Sequence, residues 1–137
     1  VAKLTEPRHT LSINTCTVSQ HAALAALTGP QEPIQAMLDE YKARRDWLMP
    51  ALSAAGFTYG HPGGAFYIYV NISHTGMDAP GFCENLLRET GVMVFPGSMF
   101  GDDSPNYIRI GYLQPLPLIQ EAMRRIADFV AKPRAAA

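Results

Sequence analysis

The chain changes its hydrophobic period partway along its length, and that change restricts it to a mixed fold. Ala65-Phe66-Tyr67-Ile68-Tyr69-Val70-Asn71-Ile72 is dense in aromatic and β-branched residues, which suit a pleated surface. It is the strongest strand signal in the chain. Asn106-Tyr107-Ile108-Arg109-Ile110-Gly111-Tyr112 repeats the pattern, and Phe57-Thr58-Tyr59 and Val92-Met93-Val94-Phe95 read as shorter strands. On either side the apolar residues recur every three or four positions, the period of a helix. With Phe57–Tyr59 and Ala65–Ile72 taken as one strand region, the resulting order, helix, helix, strand, helix, strand, strand, helix, predicts an α+β fold: a small, mostly antiparallel sheet covered by helices on one face.

Local signals bound these helices. Ser19 is positioned to cap a helix from Gln20 to Leu27, and Thr28-Gly29-Pro30 should end it, because Pro cannot continue a helix. A second helix is expected from Pro33 to Ala55, with Ile34, Met37, Leu38, Tyr41, Leu48 and Leu52 as its apolar stripe. Asp39, Glu40, Lys42, Arg44, Arg45 and Asp46 would fill its solvated face, and Pro50 should kink or break it. Asp78 is the expected cap of a helix from Ala79 to Glu89 with Phe82, Leu86 and Leu87 buried, and Gly91 its stop. Pro96 to Asp103 reads as a loop. A last helix, Pro115 to Ala131, should turn Leu118, Ile119, Ala122, Met123, Ile126 and Phe129 inward. Residues 1–12 read as an irregular or partly helical lead-in.

Composition excludes several classes of function. With 137 residues, 47% hydrophobic and 17% charged, the chain fits one ordinary domain and is too apolar for a disordered tail. Its 11 basic and 12 acidic residues are spread along it, which leaves no basic stripe for nucleic acid and no polybasic membrane anchor. No apolar run approaches the length of a membrane span, and the first ten residues carry no signal pattern. The two cysteines, Cys16 and Cys83, make no disulfide framework and no metal-ligand spacing. The cytoplasm is the default compartment.

Few residues carry chemistry by themselves. Arg109 shares a strand face with Tyr107 and Gly111. There it serves either a solvated surface or an anion, since a guanidinium fork matches a carboxylate with two parallel hydrogen bonds. FPGSMFG bears glycines but lacks the Lys and Ser/Thr of a phosphate loop. The glycines of PGGAFYIYV allow a sharp bend or a close approach. His9, His21, His61 and His74 form no ligand pair. A Cys16/His21 nucleophile pair has poor geometry across a helix start. Arg44-Arg45-Asp46 reads as a solvated helix face.

Taken in order, the segments say more. QHAALAAL (20–27), YKARRDWL (41–48), PGGAFY (62–67), VMVFPGSMFG (92–101), YIRIGY (107–112) and EAMRRI (121–126) resemble the C-terminal part of class I/II aminotransferases of pyridoxal-phosphate (PLP) fold type I, the aspartate aminotransferase-like enzymes. The resemblance runs from about Asn14 to Phe129. It implies that residues 1–137 are the small C-terminal domain of a larger enzyme, the PLP-binding large domain lying outside this sequence. Such an enzyme moves an amino group between an amino acid and a 2-oxo acid, and the resemblance implies a homodimer. It assigns Arg109 to the α-carboxylate of the substrate, which displaces the solvated-surface reading. Gly64, Ala65 and Phe66 then line the substrate site, and Asn14 and Thr15 are candidates for an active-site edge or dimer interface.

The departures bear equally on the reading. In the resembled enzymes the lysine that holds PLP sits in an S-K-x-x-x-x-x-G-x-R-x-G type motif. Lys3, followed by LTEPRHT, lacks that context and lies too close to Asn14. No catalytic residue and no covalently attached PLP are therefore expected in this chain, whose share is one wall and one substrate clamp. The chain starts without Met, which favours a piece of a longer protein. The alternative is a stand-alone α+β module that binds a small molecule or a partner without catalysis, with Arg109 as its anion contact.

Overall fold

A computed structural model of the chain describes residues 7, 10, 11, 14–101 and 105–132. It divides into two compact units, Val1–Met37 and Leu38–Ala137. Residues 7, 10 and 11 are helical, and two helices with described bounds follow: α1, Thr17–Thr28, and α2, Glu32–Ala54. They are followed by strands β1, Thr58–Tyr59, and β2, Tyr67–Asn71, helix α3, Ala79–Thr90, strands β3, Phe95–Pro96, and β4, Tyr107–Gly111, and helix α4, Leu116–Ala131. The α+β expectation holds. The strands form one sheet in the order β1-β2-β4-β3, and every pair is antiparallel.

In the first unit, α1 starts earlier than expected. Cys16, not Ser19, occupies the cap position, without a side-chain bond, so backbone and not serine begins the helix. Gly29 ends it as expected, donating its N–H to Ala25 O. None of its residues is buried. The stripe expected at the start of α2 is not buried either: Ile34, Met37 and Leu38 are exposed. Helical period marks a side that can be covered, and within the described chain that stretch stays open.

The second unit holds the core. Alternation in β2 and β4 sends Ile68, Val70, Ile108 and Ile110 to one side of the sheet. There they join Leu48 and Leu52 of α2, Phe82 and Leu86 of α3, and Ile119, Met123, Ile126 and Phe129 of α4 in one cluster. Full burial of each such side chain contributes about 1.5–3 kcal/mol. Phe82 stands edge-on to Phe129 with 5.4 Å between centroids, an arrangement the ring quadrupoles favour. Three helices thus cover one sheet face, as the sequence predicts.

Asp78 caps α3, its carboxylate accepting from Gly81 N at 3.0 Å, and Gly91 closes it at φ 72°, a backbone region where a Cβ costs energy. Three expected placements fail here. Leu87 and Leu118 are exposed, because each lies at the margin of its apolar stripe. The expected strand 92–95 shrinks to Phe95–Pro96, and Gly97–Phe100 forms a 3-10 turn within the expected loop. Pro50 lies inside α2, which continues to Ala54 with Leu48 and Leu52 on either side in the core; of the kink or break expected there, the break does not occur.

Candidate functional site

The other sheet face is lined by aromatic residues. Cross-strand partners share a face, and the register pairs Arg109 with Tyr69 on one side and Phe95 on the other. Tyr67 pairs with Gly111, two positions further along β4. Its ring passes 3.6 Å from the position a Cβ would take at Gly111, which leaves the ring room to reach Arg109. The guanidinium carbon of Arg109 lies 4.1 Å from the Tyr67 ring centroid and 3.1 Å from that of Phe100. Such contacts contribute about 0.5–2 kcal/mol each and hold the group in place.

Arg109 is half-buried, its Nε is fully buried without a hydrogen-bond partner, and no carboxylate among the described residues pairs with it. A buried donor without a partner is costly. Fixed by rings and short of an acceptor, this arginine suits a planar anion from outside, a carboxylate above all.

The turn 62–66 reaches the same face through Tyr67. Phe66 and Tyr67 have ring centroids 4.4 Å apart. Gly63 and Gly64 were the expected bending points, but the left-handed residue is Ala65, at φ 59°. An added Cβ at Gly64 would meet nothing within 4 Å, so this glycine leaves open space beside the turn. A non-glycine residue in the left-handed region costs about 1–2 kcal/mol, and two bonds from Tyr112 oppose that cost. Tyr112 Oη donates to Ala65 O at 2.8 Å, and Tyr112 N donates to Phe66 O at 3.0 Å. Burial pushes the Tyr112 phenol up, with Arg45 pulling down and Asp46 pushing up to smaller extents.

Arg44 corrects the reading of 44–46 as a solvated surface. It is buried, donates Nη1 to Leu113 O at 2.6 Å, pairs with Glu40, and lies 5.2 Å from the Tyr41 ring centroid. Arg45 is partly buried and pairs with Asp46 at 2.8 Å. Tyr41 in turn packs against Phe66 and Tyr112, with centroids 6.2 and 6.3 Å away. Sequence reasoning missed Tyr67, Phe100, Tyr112 and Arg44. Alternation could have placed Tyr67 beside Arg109; no local signal marks the other three.

Asn14 and Thr15 belong to the first unit and are exposed, and Thr15 O accepts from Gln20 Nε2 at 2.8 Å. Lys3 and His9 lie outside the described residues. Lys42 is within 3.9 Å of Asp39, and Lys132 is paired with Glu89 at 2.9 Å. A cavity of about 430 Å³ opens elsewhere, lined by Leu48, Val92, Leu118, Met123 and Ile126 among others and by neither Arg109 nor Phe100. It is mostly apolar, and the charged residues at its lining, Glu121 and Arg125, are already paired with each other, so the chemistry points to the Arg109 face. Among the described residues no group of His, Cys, Asp and Glu is arranged to hold a metal, and no helix is long and apolar enough to cross a membrane.

Comparison with known proteins gives a consistent result. A family model described as aminotransferase class I and II matches residues 7–126. The chain is 42% identical over 123 residues to an aspartate aminotransferase of Bacillus sp. (strain YM-2), covering 85% of this chain and 31% of that protein. It is 38% identical over 109 residues to an LL-diaminopimelate aminotransferase of Desulforudis audaxviator, covering 80% and 28%. The aspartate aminotransferase of Thermotoga maritima superposes with a TM-score of 0.78 at 33% identity, over 91% of this chain and 31% of that one. A structure from Methanococcus jannaschii, described as similar in its active site to kynurenine aminotransferases, gives 0.82 at 34% identity, over 91% and 33%. The chain thus spans about three tenths of the length of the curated relatives it matches.

Proposed function

Since the chain belongs to the class I and II aminotransferases, we propose that it is the C-terminal, substrate-clamping domain of a PLP-dependent enzyme that moves an amino group between an amino acid and a 2-oxo acid. The observation that carries this reading is Arg109, held against Tyr67 and Phe100 with a buried Nε that has no acceptor. Every amino acid and 2-oxo acid shares one group, the carboxylate, and a transaminase must hold all of them by it. A guanidinium fork binds that group with two hydrogen bonds and orients the rest of the molecule. Gly64, Ala65 and Phe66 form the wall beside it, and the open space at Gly64 leaves room for substrate.

Membership of the family implies PLP, which when bound supplies the electron sink for the transfer. Lys42 and Lys132 sit on the surface beside carboxylates, which supports the reading that the cofactor is attached elsewhere in the enzyme. The residues of this chain accordingly serve the substrate side. They bind its carboxylate, keep the guanidinium in register by aromatic contact, and shield its inner edge from water. Cofactor attachment falls to the remainder of the enzyme. A cytoplasmic homodimer, with Asn14 and Thr15 near an interface, completes the reading. The test is Arg109→Ala in the full-length protein: kcat/KM for amino acids falls while cofactor absorbance stays normal. Unchanged kcat/KM would favour a non-catalytic binding module.

A further inference from the structure

The turn that would wall the substrate is held in a conformation its sequence does not favour, by a residue with no other assigned role. Ala65 lies at φ 59°, where alanine is seldom stable. Its carbonyl receives the buried Tyr112 hydroxyl at 2.8 Å, and the next carbonyl, of Phe66, receives the Tyr112 backbone N–H at 3.0 Å. Tyr112 is only 2% exposed and stands three residues beyond Arg109 on the same chain segment. The turn and the arginine are also joined on the other side. Phe66 packs on Tyr67 at 4.4 Å, and Tyr67 lies 4.1 Å from the Arg109 guanidinium carbon. Tyr41 closes the arrangement against both Phe66 and Tyr112.

We propose that Tyr112 is a positioning residue for substrate binding, its hydroxyl holding the Gly64–Phe66 turn at a fixed distance from Arg109. The assignment rests on the aminotransferase reading given above. Tyr112 touches no substrate. It acts through Ala65: its hydroxyl is the side-chain half of a two-bond hold on the turn, and its backbone N–H is the other half. A fixed spacing favours substrate in the bound complex and the transition state alike, so its loss raises KM more than it lowers kcat.

The test is Tyr112→Phe in the full-length protein, with Arg109→Ala and the exposed helix variant Arg88→Ala alongside. Phe keeps the ring contacts with Tyr41 and the backbone bond to Phe66, and removes only the hydroxyl. Loss of one buried hydrogen bond should speed amide hydrogen exchange at residues 65–67 and at Tyr112 about tenfold. KM for the best donor among the standard amino acids should rise about tenfold with kcat changed less than about twofold. Arg88→Ala should match wild type in both. Unchanged exchange, unchanged KM, a fall in kcat at constant KM, or a Tyr112→Phe protein that does not fold would each overturn the positioning role. If Arg109→Ala also leaves kcat/KM intact, or the full-length protein has no aminotransferase activity, the underlying reading fails with it. If Arg109→Ala is impaired and Tyr112→Phe is not, only the role of Tyr112 is lost.

Discussion

The Arg109 guanidinium carbon lies 3.1 Å from the centroid of the Phe100 ring, although Phe100 is itself 42% exposed. A half-buried cation is thereby held by a residue of a short 3-10 turn and by Tyr67 of the neighbouring strand, not by a carboxylate among the described residues. Aromatic contact fixes position without using up hydrogen-bond donors, which suits a group that must receive an anion.

Arg109→Ala in the full-length protein should therefore cost about 2–5 kcal/mol in substrate binding and transition-state positioning, the range for removing one partner of a desolvated charge pair. This corresponds to a fall of roughly thirtyfold to several thousandfold in kcat/KM. Arg109→Lys should stay impaired, because an ammonium keeps the charge and loses the planar fork. Phe100→Leu should lose about 0.5–2 kcal/mol, roughly two- to thirtyfold, through the missing ring contact. Steady-state kinetics with cofactor absorbance as control checks all three; a normal Arg109→Ala enzyme defeats the site assignment.

Arg44 is expected to matter for stability and not for the reaction. Its removal strips the Leu113 carbonyl of a donor 69 residues away in sequence and uncovers the Tyr41 ring. Arg44→Ala should destabilise by about 1–3 kcal/mol, and Arg88→Ala, on an exposed helix surface, by less than about 0.5 kcal/mol. Denaturant midpoints of the two variants give the comparison, and equal midpoints would return Arg44 to the solvated surface.

These two arginines mark the boundary of what the sequence makes legible. Helix α3 is readable to within a residue because its signals are local: an Asp cap, a proline in the first turn and a glycine stop. Ile108 and Ile110 are readable as core from alternation alone. Arg44 is not, because a helical pattern treats every arginine as solvated, and only the packed chain brings the Leu113 carbonyl to it. Arg109 stands between these cases. Its strand face is local information, the empty acceptor position is tertiary, and its role came from the resemblance. The strain at Ala65 was hidden by the two glycines before it, which offered themselves as the bend.

That strain gives a test of its own. Ala65→Gly removes the left-handed penalty of about 1–2 kcal/mol and adds backbone entropy to the unfolded chain worth about 0.5–1 kcal/mol. The net change should lie between no effect and about 1.5 kcal/mol of stabilisation. Ala65→Val places a β-branched residue in a region it rarely enters and should destabilise, since branching adds to the left-handed cost that Ala65 already bears. Thermal or denaturant unfolding of the pair decides it: a glycine variant that loses more stability than the valine variant would mean that Ala65 does not occupy this conformation.

Cys83 should make the fold sensitive to alkali. It is buried on α3, and desolvation pushes its thiol from 9.0 up to about 11. Burial disfavours the thiolate, so the unfolded chain ionises first as pH rises. The contribution is fully present below about pH 9 and is lost progressively up to about pH 11. A difference of this size corresponds to about 2–3 kcal/mol. Tyr112, also raised by burial from 10.0, acts in the same direction from about pH 10 upward and is present in both proteins compared. Cys83→Ala loses a small buried side chain, at a cost of about 1 kcal/mol that does not depend on pH. Its stability should then fall less steeply than that of the natural sequence between about pH 9 and pH 11, and the two curves should cross, the variant being the more stable by about 1–2 kcal/mol at the alkaline end. Denaturant midpoints measured across that range show whether they do. Parallel curves would place the ionising thiol in contact with water and refute its burial against α4 and the sheet.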